Sequence, residues 1–261
     1  MSDVQTSSRL AYELLAHDIR HAGLTGCNHD GHVSDIRLPA GRAGWDEALR
    51  GYAPDLADRR QVAGTDSLRL IAAGDAAMSV KLHTPSESLF EIDGPIPLRD
   101  RDVVIVCDPD HAAILQVAKA GSTLDYGDPA LNCGTNLAYL AHCDGSHDYT
   151  FGPNAQLAPL YAANWYIGAN PDPPGGSSLY RWQPDADPQE LVRHVTDLRL
   201  RYLPSGASGF VPAAQVKDWS AVTTVQISLT LHSALQPRAG AANAPLTRTI
   251  TATVALYNRV N

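Results

Sequence analysis

The spacing of hydrophobic and polar positions changes once, early, and divides the chain into a leading helix and a long series of strands. Over residues 10–27 the apolar side chains of Leu10, Ala11, Leu14, Leu15, Ile19 and Ala22 recur at the three-and-four spacing of one helical face. This stripe is the expected packing face. Arg9, Glu13, His17, Asp18, Arg20 and His21 fill the remaining positions and are expected to face water. Gly23 and Gly26 supply the backbone freedom that ends the helix. Residues 28–63 are rich in Gly, Asp, Arg and Pro and read as loop. Within them Trp45, Leu49, Tyr52 and Leu56 suggest one short amphipathic helix over residues 46–52.

From Gly64 the period shortens to two. Residues 67–72, 77–83 and 89–93 read as strands. The continuous β-branched run at 102–107 reads as a central strand buried on both faces, with 112–118 as its hairpin partner across Asp108-Pro109-Asp110. Residues 121–148 read as loop. Strands follow at 157–167 and 178–182, either side of an Asp172-Pro-Pro-Gly-Gly176 turn. The second half of 191–203 alternates over Leu198, Leu200 and Tyr202. After one or two helical turns at 213–219, Val225, Ile227, Leu229 and Leu231 mark a half-buried strand. A Gly/Ala/Pro loop at 236–245 leads to a closing strand with Ile250, Ala252, Val254 and Leu256 on one face. One helix and about ten strands predict an α+β fold, the N-terminal helix packed on antiparallel sheet. No repeat or linker divides it, so a single domain over 1–261 is expected, with 1–25 as the helix and 64–261 as a β-rich body.

Composition narrows the function. The 261 residues carry a formal net charge of -8 and no basic cluster, which argues against binding a phosphate backbone. No apolar run is long enough to span a membrane or serve as a secretory signal. The helix begins within a few residues of Met1, so further sequence upstream is expected. Four cysteines fit two disulfides in an oxidising compartment and allow three pairings. Cys133 and Cys143 bracket a short loop, which favours their pairing and leaves Cys27 with Cys107.

Candidate chemistry is sparse. His17 and His21 stand four apart on the helix, with His29, Asp30 and His32 beyond, but lack the glutamate of a His-Glu-x-x-His motif. Surface polar positions explain them as well. His142, Cys143, Asp144, His147 and Asp148 form an acidic turn without the ligand spacing of a calcium loop. Asp108 and Asp110 flank a proline, where carboxylates cap the turn. Gly206-Ala-Ser-Gly209 falls short of a nucleophile elbow, and no phosphate loop or dinucleotide fingerprint is present. No catalytic, metal-binding or cofactor residue is assigned, and no cofactor is expected.

Several stretches together resemble PilW-type minor pilins of type IV pili. The run Glu13-Leu-Leu-Ala-His-Asp-Ile-Arg-His-Ala-Gly23, followed by Gly26-Cys27, is similar to the end of that family's N-terminal helix. Gly64-Thr-Asp-Ser-Leu-Arg-Leu70 is similar to its Gly-Ser-Asp-x-Leu strand. The segment 102–117 resembles one ending Ala-x-Ile-Phe-Gln-Val. Asn164-Trp-Tyr-Ile-Gly168 with Ser178-Leu-Tyr-Arg181 resembles its Tyr-x-Ile and Leu-Tyr-Arg strands. Val195-Thr-Asp-Leu-Arg-Leu-Arg-Tyr202 resembles its Val-x-x-Leu-x-Val-x-Tyr. The closing Thr253-Val-Ala-Leu-Tyr-Asn-Arg259 resembles its Thr-Val-x-Leu-Arg-Asn-Arg, with Tyr257 at the arginine position. Residues 28–63 and 121–148 match no family block.

The resemblance implies a pilin-like fold and a role without catalysis. Minor pilins of this type prime pilus assembly and sit in the tip complex. Their partners are other minor pilins and the major pilin, and nucleic acid is not expected. An upstream apolar helix would hold the subunit at the periplasmic face of the inner membrane before it enters the extracellular pilus. Loops 28–63 and 133–143 are then the candidate contact surfaces. A type II secretion pseudopilin of the J type shares this layout, and the closing Asn258-Arg259 favours the pilus. A metal-dependent hydrolase using the histidine clusters is a further alternative. So is a carbohydrate-binding β-sandwich using Trp165, Tyr166, Tyr180 and Trp182.

Overall fold

The computed structural model describes residues 2–27, 33–38, 44–54, 61–138, 149–170, 175–184, 186–233 and 247–259. Helix α1 is Ser2–His21. The strands that follow are β1 (Val33–Asp35), β2 (Leu49–Tyr52), β3 (Ser67–Ala73), β4 (Met78–Thr84), β5 (Leu89–Asp93), β6 (Val103–Cys107), β7 (Ala112–Gln116) and β8 (Lys119–Ala120). After these come β9 (Leu124–Asp125), β10 (Gln156–Asn170), β11 (Gly176–Trp182), β12 (Gln189–Arg193), β13 (Val195–Pro204), β14 (Val222–His232) and β15 (Thr247–Ala255). No helix among the described residues is long and apolar enough to cross a membrane.

The expected α+β, pilin-like arrangement of a helix on antiparallel sheet is overturned. The molecule is mostly β-sheet, 48% strand against 13% helical. Twelve strands join in one mixed sheet, and a second sheet orders as β13-β14-β15. Two causes stand out. First, short strands form where the sequence reads as loop: β1 pairs in parallel with β7, Val33 opposite Ala112, inside the region that shows no periodicity. Second, the expected helix over residues 46–52 is a strand. Only a 3-10 turn forms at Trp45–Glu47, and β2 then pairs antiparallel with β3, Leu49 opposite Leu70. Gly51 lowers helix propensity in mid-segment, and β3 offers a ladder instead.

By chain contacts the protein forms two compact units. The first comprises Met1–Ala22, Glu47–Leu70 and Ala162–Asn261. In it α1 lies along β12, β14 and β15. The buried residues described along the helix are Val4, Ser8, Ala11, Leu15, Ala16, Asp18 and Ile19, with Ala22 just past its end. Thus the packing stripe is rotated from the expected one. Leu10 is 47% exposed and Leu14 only half-buried. Asp18, expected in water, is buried because its carboxylate accepts a hydrogen bond from Trp165 Nε1 at 2.8 Å. A wholly buried Trp needs such a partner for its N–H. In the sheet, Leu198, Leu200, Tyr202, Val225, Ile227, Leu229, Leu231 and Val254 are all buried. Truncating one of these leucines, Ile227 or Leu15 to alanine costs about 2–5 kcal/mol. The strand expected in the second half of 191–203 is β13, and the first residues of that stretch end a separate strand, β12, divided from it at His194, whose φ is +62°.

The second unit comprises Gly23–Asp46 and Ile71–Tyr161. Its centre is the β6–β7 hairpin, Ile105 opposite Ile114, with β6 buried over four of its five residues. The start of β10 pairs with β6 and with β4. Phe90, Val104, Val106, Leu115, Leu124, Tyr126, Phe151 and Leu157 fill the core. Cys27 and Cys107 form the expected disulfide, joining the segment after α1 to the end of β6.

Candidate functional site

His21 Nδ1 donates to the His17 carbonyl at 2.7 Å, so that nitrogen has no lone pair for a metal. The His21 ring also meets Tyr257 edge-on at 5.7 Å. His29, Asp30 and His32 lie outside the described residues, as do His142, Cys143, Asp144, His147 and Asp148. The Cys133–Cys143 pairing and the loop at 236–245 therefore lie outside them too, with most of the turn at 172–176. Among the described residues no group of three or more His, Cys, Asp or Glu is placed to hold a metal ion. Asp108 caps its turn, accepting from the N–H groups of Asp110 and His111 at 3.0 and 2.9 Å. It also accepts from the Tyr149 hydroxyl at 2.8 Å. Burial raises the Tyr149 phenol above its ordinary value, and the Asp108 bond adds to this.

A buried histidine escaped sequence reasoning. His83 lies flat on Phe90, ring centroids 4.1 Å apart and planes 10° apart. Its Nδ1 accepts the Phe151 backbone N–H at 3.1 Å, so Nε2 carries the proton and donates to the Tyr126 hydroxyl at 2.8 Å. Burial holds its pKa down at about 4. Both nitrogens are used, and the imidazole stays neutral. This is a structural histidine fixing Phe90, Tyr126 and Phe151 together. The signal that hid it is a register shift in β4 between Val80 and Leu82. Alternation from Met78 would bury Leu82 and expose His83. The shift reverses this, and Leu82 is 48% exposed.

The first unit holds a shallow cleft of about 220 Å³ lined by Arg50, Tyr52, Ala213, Ala214, Val216 and Trp219 around Gly51. The Arg50 guanidinium donates to Glu47 and stands 5.7 Å above the Tyr52 ring. Arg69 reaches the same carboxylate at 3.3 Å. The Arg50 hydrogen bond holds Glu47 below the usual carboxylate range. Beneath Gly51 lies Tyr202, fully buried, with its ring edge-on to Trp219 at 4.9 Å. A Cβ on Gly51 would collide with the Tyr202 hydroxyl, so only glycine fits here. That hydroxyl has no hydrogen-bond partner among the described residues. The cleft is smaller than the roughly 300–1,000 Å³ of ordinary ligand pockets. Its arginine is already neutralised. It suits a contacting side chain better than a charged small molecule.

The remaining proposed residues sort plainly. Trp165 and Tyr166 are buried, while Tyr180 and Trp182 are half-buried. Tyr180 stacks on Tyr166 at 5.7 Å, and Trp182 Nε1 donates to the Ala186 carbonyl at 2.9 Å. No open aromatic platform results from this set. Of the candidate contact loops, residues 33–38, 44–54, 61–63 and 133–138 are described. Within the first, Arg37 pairs with Asp35 at 2.6 Å and stiffens the chain after β1. No protein-family model, no curated protein and no solved structure matches this chain.

Proposed function

We propose that this chain is a non-enzymatic minor pilin, a subunit that binds other pilins during type IV pilus assembly and at the pilus tip. The observation that carries the reading is the ordered set of sequence blocks that resemble those of PilW-type minor pilins, spread from the helix to Arg259. The reading rests on those blocks and not on a shared architecture. Supporting it, the blocks coincide with regular elements: α1, β3, the β6–β7 hairpin, β10, β11, β13 and β15. The Cys27–Cys107 disulfide is compatible with a body outside the cytoplasm. The cleft at Arg50 and Trp219 has the size and neutrality for a protein contact. Arg259 of the closing block donates to the Trp219 and Val222 carbonyls at 2.6 and 3.1 Å, tying that block to one wall of the cleft.

The test is direct binding. The chain is immobilised and exposed to each minor pilin and the major pilin encoded in the same genome, and the gene is deleted to count surface pili. Binding to at least one minor pilin and a fall in piliation are expected. Normal piliation together with no binding would sink the proposal.

A further inference from the structure

The sheet β13-β14-β15 ends at β15, whose outer edge pairs with no strand among the described residues. The direction of its free backbone groups follows from one bond. Leu256 N–H donates to Thr223 O at 2.9 Å, and these two residues stand opposite each other in the ladder that continues the Thr224–Ala255 pair. In an antiparallel ladder such bonded pairs alternate with unbonded ones. Even-numbered residues of β15 therefore bond to β14. Thr247, Thr249, Thr251, Thr253 and Ala255 point their N–H and C=O groups outward.

Most devices that protect an exposed edge are missing here. The strand runs nine residues with no proline. Its register with β14 is unbroken, so no bulge turns the edge away. Arg248 is its single charge. The four threonines are exposed, and Ile250 and Ala252 are only half-buried. Ser228 with Thr251, and Thr230 with Thr249, already form hydroxyl pairs at 3.0 Å, so this face is set for cross-strand threonine contacts.

We infer that β15 is a self-association edge, pairing antiparallel with β15 of a second copy of this chain about a two-fold axis through Thr251. Self-complementarity selects this occupant. With Thr251 opposite itself, Thr249 meets Thr253 and Thr247 meets Ala255, so all five outward residues find bonded partners. On the other face Ile250 meets Ala252, large against small, on both sides of the axis. Arg248 meets Val254, and the two arginines stay far apart. The interface is isologous. It does not depend on the pilin reading.

The test uses the 261-residue chain in sedimentation across low to high micromolar concentration. A concentration-dependent dimer is expected. Thr251→Lys sets two ammonium groups opposite each other and should weaken association about tenfold or more. Thr251→Cys should give a symmetric intermolecular disulfide under mild oxidation, since bonded antiparallel pairs bring Cα atoms to about 5.5 Å. Ser228→Cys, on the inner strand, should not. Thr251 is exposed, so circular dichroism should show both Thr251 variants folded. A monomer at every concentration overturns the inference. So does a dimer that Thr251→Lys leaves intact and Thr251→Cys fails to cross-link.

Discussion

His83 makes the stability of the second unit depend on pH, and the size of the effect follows from its surroundings. Folded, it is neutral with both nitrogens bonded, and its pKa is about 4; the ordinary value is 6.5. The unfolded chain takes up a proton near pH 6.5, and the folded chain does not until about pH 4. Stability is therefore fully present above pH 6.5 and is lost as pH falls toward 4. The gap of roughly 2.5 pKa units is worth about 3.4 kcal/mol in full, and about 2 kcal/mol of it is lost between pH 8 and pH 5. The perturbation is His83→Gln, which keeps hydrogen-bonding capacity but cannot titrate. It loses the ring stack on Phe90 and should cost roughly 1–3 kcal/mol at pH 8. Urea unfolding of both proteins at pH 8, 6.5 and 5 gives the comparison. The parent should lose about 2 kcal/mol more than the variant between pH 8 and pH 5. Nuclear magnetic resonance of the His83 ring should show a midpoint near 4. Equal pH dependence in the two proteins, or a ring midpoint above 6, would refute the reasoning.

Four further outcomes follow from the packing and the disulfide. Gly51→Ala forces a methyl onto the Tyr202 hydroxyl and ring edge and should destabilise by about 1–3 kcal/mol in urea unfolding; adding Tyr202→Phe should relieve only part of this, because a ring carbon also collides with the added Cβ. Tyr202→Phe alone should be neutral or stabilising, because the hydroxyl it removes is buried without a partner among the described residues. Asp18→Ala strands the buried Trp165 N–H and should cost about 1–3 kcal/mol in the same assay, with Asp18→Asn retaining most of the stability through its carbonyl oxygen. Cys27→Ser with Cys107→Ser opens a disulfide across a separation of 80 residues. In the chain-entropy account this costs about 4.5 kcal/mol, read as a lower urea midpoint.

The legible parts of the sequence were those where one residue pattern meets one environment. The run at 102–107 is apolar on both faces, and β6 is buried almost throughout. Val225, Ile227, Leu229 and Leu231 alternate, and β14 buries all four while showing water the residues between. The helix was legible in kind but not in rotation. Leu10, Leu14 and Leu15 span more of the helix than one sheet can cover, and the sheet takes the sector centred on Ala11, Leu15, Ile19 and Ala22. Asp18 enters that sector because a distant tryptophan needs an acceptor, which no local pattern records. The fold class was misjudged for a related reason. Strands of two to four residues, such as β1, β2, β8 and β9, are too short to show a period, yet each adds ladder to the sheet.

The β4 register shift shows why the informative chemistry was the least visible. Strand periodicity assigns a face to each residue by counting from a neighbour, so one inserted residue reverses every assignment beyond it. In β4 the shift lies between Val80 and Leu82, and it sends the leucine to solvent and the histidine to the core. A buried leucine would have needed no partners. The histidine needs two, and it finds them on separate segments, the Tyr126 hydroxyl after β9 and the Phe151 N–H before β10. The polar group thus sets three stretches of chain in one relation, which an apolar side chain of equal size would leave adjustable. That is also why the sequence draws attention to other histidines, though it assigns them no site. His17 and His21 look like a site because they are close in sequence. His83 organises its surroundings because its partners are far apart in sequence and the fold alone brings them together.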